Sequence, residues 1–182
     1  KISVKIKKIF NKGDYILGNE VFNFEKNFSK FVRSHYAVSC ANGTDALTLS
    51  LKALNLPANS EVIIPAMTYC STAFSILNAG LKPVLVDLEI NKPTIDINKI
   101  KKKINGKTKV IMPVHLYGSS SNLNGIKKII KSCKNKIYLV DDCAQAQGTF
   151  DDSSTNNKMI GSSADISCFS LYPGKNLGAY GD

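Results

Sequence analysis

Apolar residues recur along this chain with two periods, and the two periods take turns. From Glu20, the residues Val21, Phe24, Phe28 and Phe31 fall at helical spacing with charges between them. Tyr15-Ile16-Leu17-Gly18 closes an irregular lead-in before that helix, so residues 1–35 read as an arm and a helix. Tyr36 to Cys40 reads as a short strand. Leu47, Leu51 and Leu54 then form a helical stripe that opens at Asn42-Gly43-Thr44-Asp45, a strand-to-helix turn with capping residues. Further on, strands are predicted over Glu61 to Pro65, Pro83 to Asp87, Lys109 to Val114, Ile137 to Val140 and Ala164 to Phe169. Helices are predicted over Ser71 to Ala79, over Asp96 to Ile104 with Thr94 or Asp96 opening it, and over Asn122 to Ser132. Leu123, Ile126, Ile129 and Ile130 share one side of the last. The segment after Gly148, rich in Ser, Asn and Asp, reads as a polar loop.

Strands alternating with helices of about ten residues imply crossover connections and a mostly parallel sheet with helices on both faces. The fold class is therefore α/β. In such sheets ligands bind beyond the carboxyl ends of the strands. The organisation expected is an N-terminal arm and helix over 1–35 and one sheet domain over 36–182.

Composition narrows the function classes. At 182 residues the chain can bury a substantial core. No apolar run approaches a membrane span, and the basic start KISVKIKKIF is not followed by the apolar core of a signal peptide. Five cysteines, Cys40, Cys70, Cys133, Cys143 and Cys168, include no CxxC pair. That pattern fits reduced thiols in the cytoplasm, with neither a disulfide framework nor a metal site. The net charge of +10 gathers in Lys99 to Lys109 and Lys127 to Lys136. Without interleaved aromatics or a recognisable nucleic-acid module, these read as solvated helix faces, and neither a nucleic acid nor a membrane is expected as a partner.

Candidate chemistry lies at the strand ends. Lys175 sits in Ser170-Leu171-Tyr172-Pro173-Gly174-Lys175-Asn176-Leu177-Gly178, where a buried strand breaks into a Gly-rich loop. A desolvated lysine is a nucleophile suited to a Schiff base with a carbonyl. Taken alone, the stretch is better accounted for by a solvated loop lysine. The amides at the start of the helix after Asn42 could bind an anion, or Asn42 could be a plain cap. Thr68-Tyr69 adds an aromatic face, and Asp142 with Gln145 adds a carboxylate and an amide. No GxGxxG follows the first strand and no GxxxxGK[ST] occurs, which weakens a dinucleotide fold or a P-loop.

Five motifs resemble one family in order and spacing. They are Asn42-Gly43-Thr44-Asp45-Ala46-Leu47, Pro65-Ala66-Met67-Thr68-Tyr69, His115-Leu116-Tyr117-Gly118, Asp142-Cys143-Ala144-Gln145-Ala146 and the Ser170 to Gly178 stretch. Together they resemble the DegT/DnrJ/EryC1/StrS family, pyridoxal 5'-phosphate (PLP)-dependent aminotransferases of fold type I that act on nucleotide-linked keto sugars. The resemblance implies that Lys175 is the Schiff-base lysine and that Asp142 pairs with the cofactor's pyridine nitrogen, keeping it protonated. Asp141 reads as a strand-end carboxylate in water. Tyr69 would stack on the cofactor ring, the alternative being a half-buried core tyrosine, and Gln145 would bond the cofactor's phenolic oxygen. Gly43, Thr44, Asp45 and Ser170 would bind the phosphate. His115 reads as structural.

Some members of that family are dehydratases with histidine at the lysine position, so Lys175 favours transamination. Gln147 stands where histidine is frequent, a departure that bears on substrate contacts. The resemblance implies glutamate as amino donor, a homodimer with the site at its interface, and amination at C3 of a dTDP-linked 3-keto-6-deoxy sugar. Amination at C4, or of an inositol-type ketone, stands behind that reading. Members continue beyond the lysine motif into more large domain and a smaller C-terminal domain, so the 182 residues resemble an N-terminal part. Two rivals are a non-catalytic homologue or fragment binding a phosphate-bearing ligand or a partner subunit, and an unrelated α/β nucleotide-binding domain. Either would lack the yellow absorption of a PLP protein.

Overall fold

A computed structural model describes residues 2–180. The chain divides into two compact units, the first ending at Ser39 and the second beginning at Cys40.

The first unit holds two helices, α1 (Ile2–Lys12) and α2 (Asn19–Val32). The first replaces the irregular lead-in expected from sequence: Ile2, Ile6 and Phe10 recur at i and i+4, a pattern that short charged interruptions disguise. Along α2 the aromatic stripe is real, with the Phe24 and Phe28 rings stacked at 5.4 Å and Phe28 to Phe31 at 6.1 Å. Arg33 ends the helix in the left-handed region at φ 59. The strand expected over 36–40 does not form. Tyr36 and Val38 are each 86% exposed, and β-prone side chains make a strand only where a neighbour completes the ladder; no described strand pairs with this segment.

The second unit is built on five parallel strands in the order β2-β1-β3-β4-β5. They are β1 (Glu61–Pro65), β2 (Lys82–Val86), β3 (Thr108–Ile111), β4 (Tyr138–Asp142) and β5 (Ile166–Cys168). Between them run α3 (Gly43–Ala53), which precedes β1, then α4 (Cys70–Asn78), α5 (Ile97–Lys103) and α6 (Leu123–Ser132). Strand register sorts the side chains to two faces. Ile63, Ile111 and Leu139 pack with Ile100 of α5 and with Leu123, Ile126 and Ile129 of α6. Val62, Ile64, Val110, Met112 and Val140 pack with Leu47 and Leu51 of α3 and Ile76 of α4. Each buried aliphatic side chain contributes about 1.5–3 kcal/mol, so these two clusters are what hold the helices on the sheet. Among the described residues no helix is long and apolar enough to cross a membrane.

The strand order reverses direction at β1, whose neighbours are β2 on one side and β3 on the other. A crevice opens at such a switch point, beyond the carboxyl ends of the strands.

Candidate active site

A cavity of about 530 Å³ occupies that position. Several elements deliver residues to it. Thr68 and Tyr69 follow β1, Val114 and Leu116 follow β3, Asp142 and Gln145 end β4, and Ser170 and Lys175 follow β5; Gly43 and Thr44 come from the start of α3.

At α3 the Asn42 side chain accepts from the Asp45 amide at 2.9 Å, and the Asn42 carbonyl accepts from the Ala46 amide at 2.9 Å. The amides of Gly43 and Thr44 precede the first intrahelical bond and are the ones available to an anion. The cap and an anion site, expected as alternatives, are therefore compatible. A Cβ on Gly43 would lie 2.8 Å from the Ser170 Cβ, so glycine is what lets the helix start and the end of β5 meet. Hydroxyls of Thr44 and Ser71 bond each other at 2.9 Å beside this cradle. Asp45 does not belong to it. It is exposed, does not line the cavity, and has given its amide to Asn42; its carboxylate accepts from the Asn42 amide group at 3.2 Å. A carboxylate at N3 of a capped helix complements the helix dipole rather than a phosphate.

Tyr69 stands at the N-cap of α4, is 69% exposed and lines the cavity. It is not a half-buried core tyrosine, and an open face is what stacking requires. Gln145 accepts from the Tyr117 amide at 2.8 Å through Oε1. That bond orients the side chain and leaves its NH₂ as the group to offer a ligand oxygen. Tyr117 adopts φ 57 to make it, an uncommon conformation for a non-glycine residue.

Asp142 is 5% exposed. Its Oδ2 accepts from Thr72 Oγ1 at 2.8 Å and its Oδ1 from the Ala144 amide at 3.1 Å. Burial pushes its carboxyl above the usual range; the Thr72 hydroxyl, the Ala144 amide and the charges of His115 and Lys175 pull it back. Lys175 is half-buried in its loop, where its amide bonds the Tyr172 carbonyl at 2.8 Å.

One sequence expectation is corrected beneath the site. Asp141 is fully buried rather than solvated, because β4 alternates and its other face meets the α5–α6 layer. Its Oδ2 lies 3.6 Å from His115 Nε2, longer than a hydrogen bond, and among the described residues neither carboxylate oxygen has a hydrogen-bond partner. His115 is fully buried and its Nδ1 accepts from the Ser121 amide at 3.1 Å, which puts the ring proton on Nε2, facing Asp141. Gln147 is turned inward: its amide donates to the Ser170 carbonyl at 2.5 Å, tying the segment after β4 to the end of β5, and it does not line the cavity. Thr72 is the residue that sequence reasoning passed over. The available signal was its place four residues after Thr68, in the first turn of a helix that opens at the switch point.

Comparison with known proteins decides the family. A sequence model described as the DegT/DnrJ/EryC1/StrS aminotransferase family matches residues 1–182. The chain belongs to that family. It is 39% identical over its whole length to a UDP-N-acetyl-3-dehydro-alpha-D-glucosamine 3-aminotransferase of Acidithiobacillus ferrooxidans, covering 48% of that protein. Over 94% of its length it is 43% identical to a dTDP-3-amino-3,6-dideoxy-alpha-D-galactopyranose transaminase of Aneurinibacillus thermoaerophilus, covering 46% of it. Among solved structures it superposes on DesV of S. venezuelae, crystallised with a ketimine intermediate, at TM-score 0.92 and 33% identity, covering 99% of this chain and 47% of that one. It also matches the E. coli GDP-4-keto-6-deoxy-D-mannose-3-dehydratase with bound hydrated PLP at TM-score 0.82 and 30% identity, covering 92% of this chain and 43% of that one. The chain thus spans about half the length of the family members it matches.

Proposed function

We propose that the complete protein is a PLP-dependent aminotransferase that transfers an amino group, from glutamate, to a keto sugar carried on a nucleotide diphosphate. The observation that carries this reading is the convergence of Tyr69, Asp142, Gln145 and Lys175 in one cavity with the open amides of α3. That donor set fits the cofactor. The Gly43 and Thr44 amides with Ser170 offer a phosphate site that a Cβ would fill. Tyr69 offers a ring face, Gln145 an NH₂ for a phenolic oxygen, and Asp142 a carboxylate for a ring nitrogen. When bound, the cofactor supplies an electron sink for the bond-breaking at the donor's α-carbon.

The chain's own residues do the rest. Asp142 would hold the ring nitrogen of the cofactor in its protonated form. Lys175 would hold the cofactor through its amine and, when free, would serve as the base at the donor's α-carbon. The relatives named above as 3-aminotransferase and 3-amino-sugar transaminase support action at C3, and a dTDP-linked 3-keto-6-deoxy sugar is the substrate we favour. We further read the protein as a cytoplasmic homodimer whose partner subunit completes the site.

Borohydride reduction of the complete protein loaded with PLP, followed by peptide mass mapping, tests the reading. A phosphopyridoxyl adduct on Lys175 is expected. Folded protein with excess PLP and an unmodified Lys175 would overturn it.

A further inference from the structure

Asp142 must be ionised to hold a protonated ring nitrogen, yet it lies in a site that penalises its charge. The structure shows how the charge is kept. Thr72 is fully buried, and its hydroxyl has one proton. An ionised Asp142 can only accept, so the 2.8 Å contact from Thr72 Oγ1 to Oδ2 uses that proton. Thr68 Oγ1 lies 2.8 Å from Thr72 Oγ1, so Thr68 must be the donor in that second bond. The hydroxyls form a one-way chain, Thr68 to Thr72 to Asp142, with both protons aimed at the carboxylate. Protonation of Asp142 would make it the donor and reverse the chain.

We propose that Thr72, backed by Thr68, is a positioning residue of this site: the two hydroxyls keep Asp142 ionised and fix the oxygen it turns to the ring nitrogen of the cofactor. This rests on the reading above. Chains of hydrogen bonds polarise one another in a low-dielectric site, so the pair acts more strongly than Thr72 alone. The other titratable groups coupled to Asp142 come from several elements: His115 after β3, Cys143 just past its own strand, Cys168 of β5, and Lys175. The two thiols are neutral, since burial first and then the neighbouring carboxylates push Cys143 well up and Cys168 to about 12. Among the side chains around Asp142, Thr72 is the one that donates a direct hydrogen bond to the carboxylate.

The test uses the complete protein with Thr72→Val, Thr72→Ser and Thr68→Val. A lost hydrogen bond to a charged group corresponds to about ten- to hundredfold in an equilibrium constant. T72V is expected to weaken PLP binding to the apoprotein by about that factor and to shift the pH profile of the bound cofactor's absorbance. T72S should restore both, and T68V should weaken binding by a smaller factor. Wild-type affinity and profile in T72V overturn the proposal, as does equal loss in T72S, which would mean packing alone. If T72V does not fold, T68V decides, and unchanged binding overturns the proposal. Should the wild-type protein bind no PLP, the functional reading fails separately. A double-mutant cycle of T72V with Asp142→Asn in cofactor-free protein, read by unfolding, still tests the chain: coupling of about tenfold in the unfolding constant is expected, and additivity overturns it.

Discussion

At the scale of single residues, the strand end Asp141-Asp142 shows how much neighbours matter. The two carboxyls are adjacent in sequence, and β4 sends them to opposite faces. Asp142 reaches the cavity and finds two donors, while Asp141 lies against the Nε2 side of His115 without a hydrogen bond among the described residues. Removing His115 would leave a buried carboxyl facing a void, and such losses cost about 3 kcal/mol. His115→Ala is therefore expected to lower the urea midpoint of the complete protein. A midpoint equal to that of the wild type would show that the pair contributes nothing. The roles assigned by resemblance to Asp142, Gln145 and Tyr69 rest on positions that the sequence could name. The direction of their hydrogen bonds it could not. Oε1 of Gln145 is committed by Tyr117, 28 residues away.

At the scale of elements, α3 carries two tasks at one end. Its cap satisfies one orphan amide through Asn42 and leaves two for a ligand. Asn42→Ala is expected to destabilise the protein by about 1 kcal/mol in denaturant unfolding. It should also weaken PLP binding, because the freed Asp45 amide no longer holds the turn. A variant with unchanged stability would show that the Asn42 bond is replaced by solvent. Most elements were legible beforehand because their signals are local: Asn42, Asp96 and Asn122 each cap the helix that the apolar stripe predicted. Two were not. The helix α1 hides among lysines, and the 36–40 segment has strand composition without a strand to pair with.

At the scale of the whole molecule, stability is linked to the charge on Asp142. Its folded carboxyl titrates above the ordinary value of 3.8, so the folded state binds the proton more tightly than the unfolded chain. For such a group, stability is greatest below the unfolded value and declines as pH rises through the folded one. In cofactor-free protein, the stability of the wild type relative to Asp142→Asn is therefore expected to fall as pH rises from about 4 toward neutrality. Paired urea titrations across that range measure it, and a constant difference would mean that Asp142 is not penalised by burial. A bound cation at the ring nitrogen would offset the penalty, so the same experiment with PLP should flatten the slope. The site is thus less stable empty than a neutral one would be, a common cost of function.

What the sequence by itself determined is what depends on near neighbours: the alternation of strands and helices, the caps, and the motifs that mark the family. Period and capping act over three or four residues, and the chain states them openly. Only the tertiary structure decided which polar groups are buried and what they face. Thr72 and Asp142 are 70 positions apart, and their bond exists because β1 and β4 flank β3 in one parallel sheet. The same packing turned Gln147 inward and buried Asp141. Burial and hydrogen-bond direction are properties of the assembled sheet, and no local pattern encodes them.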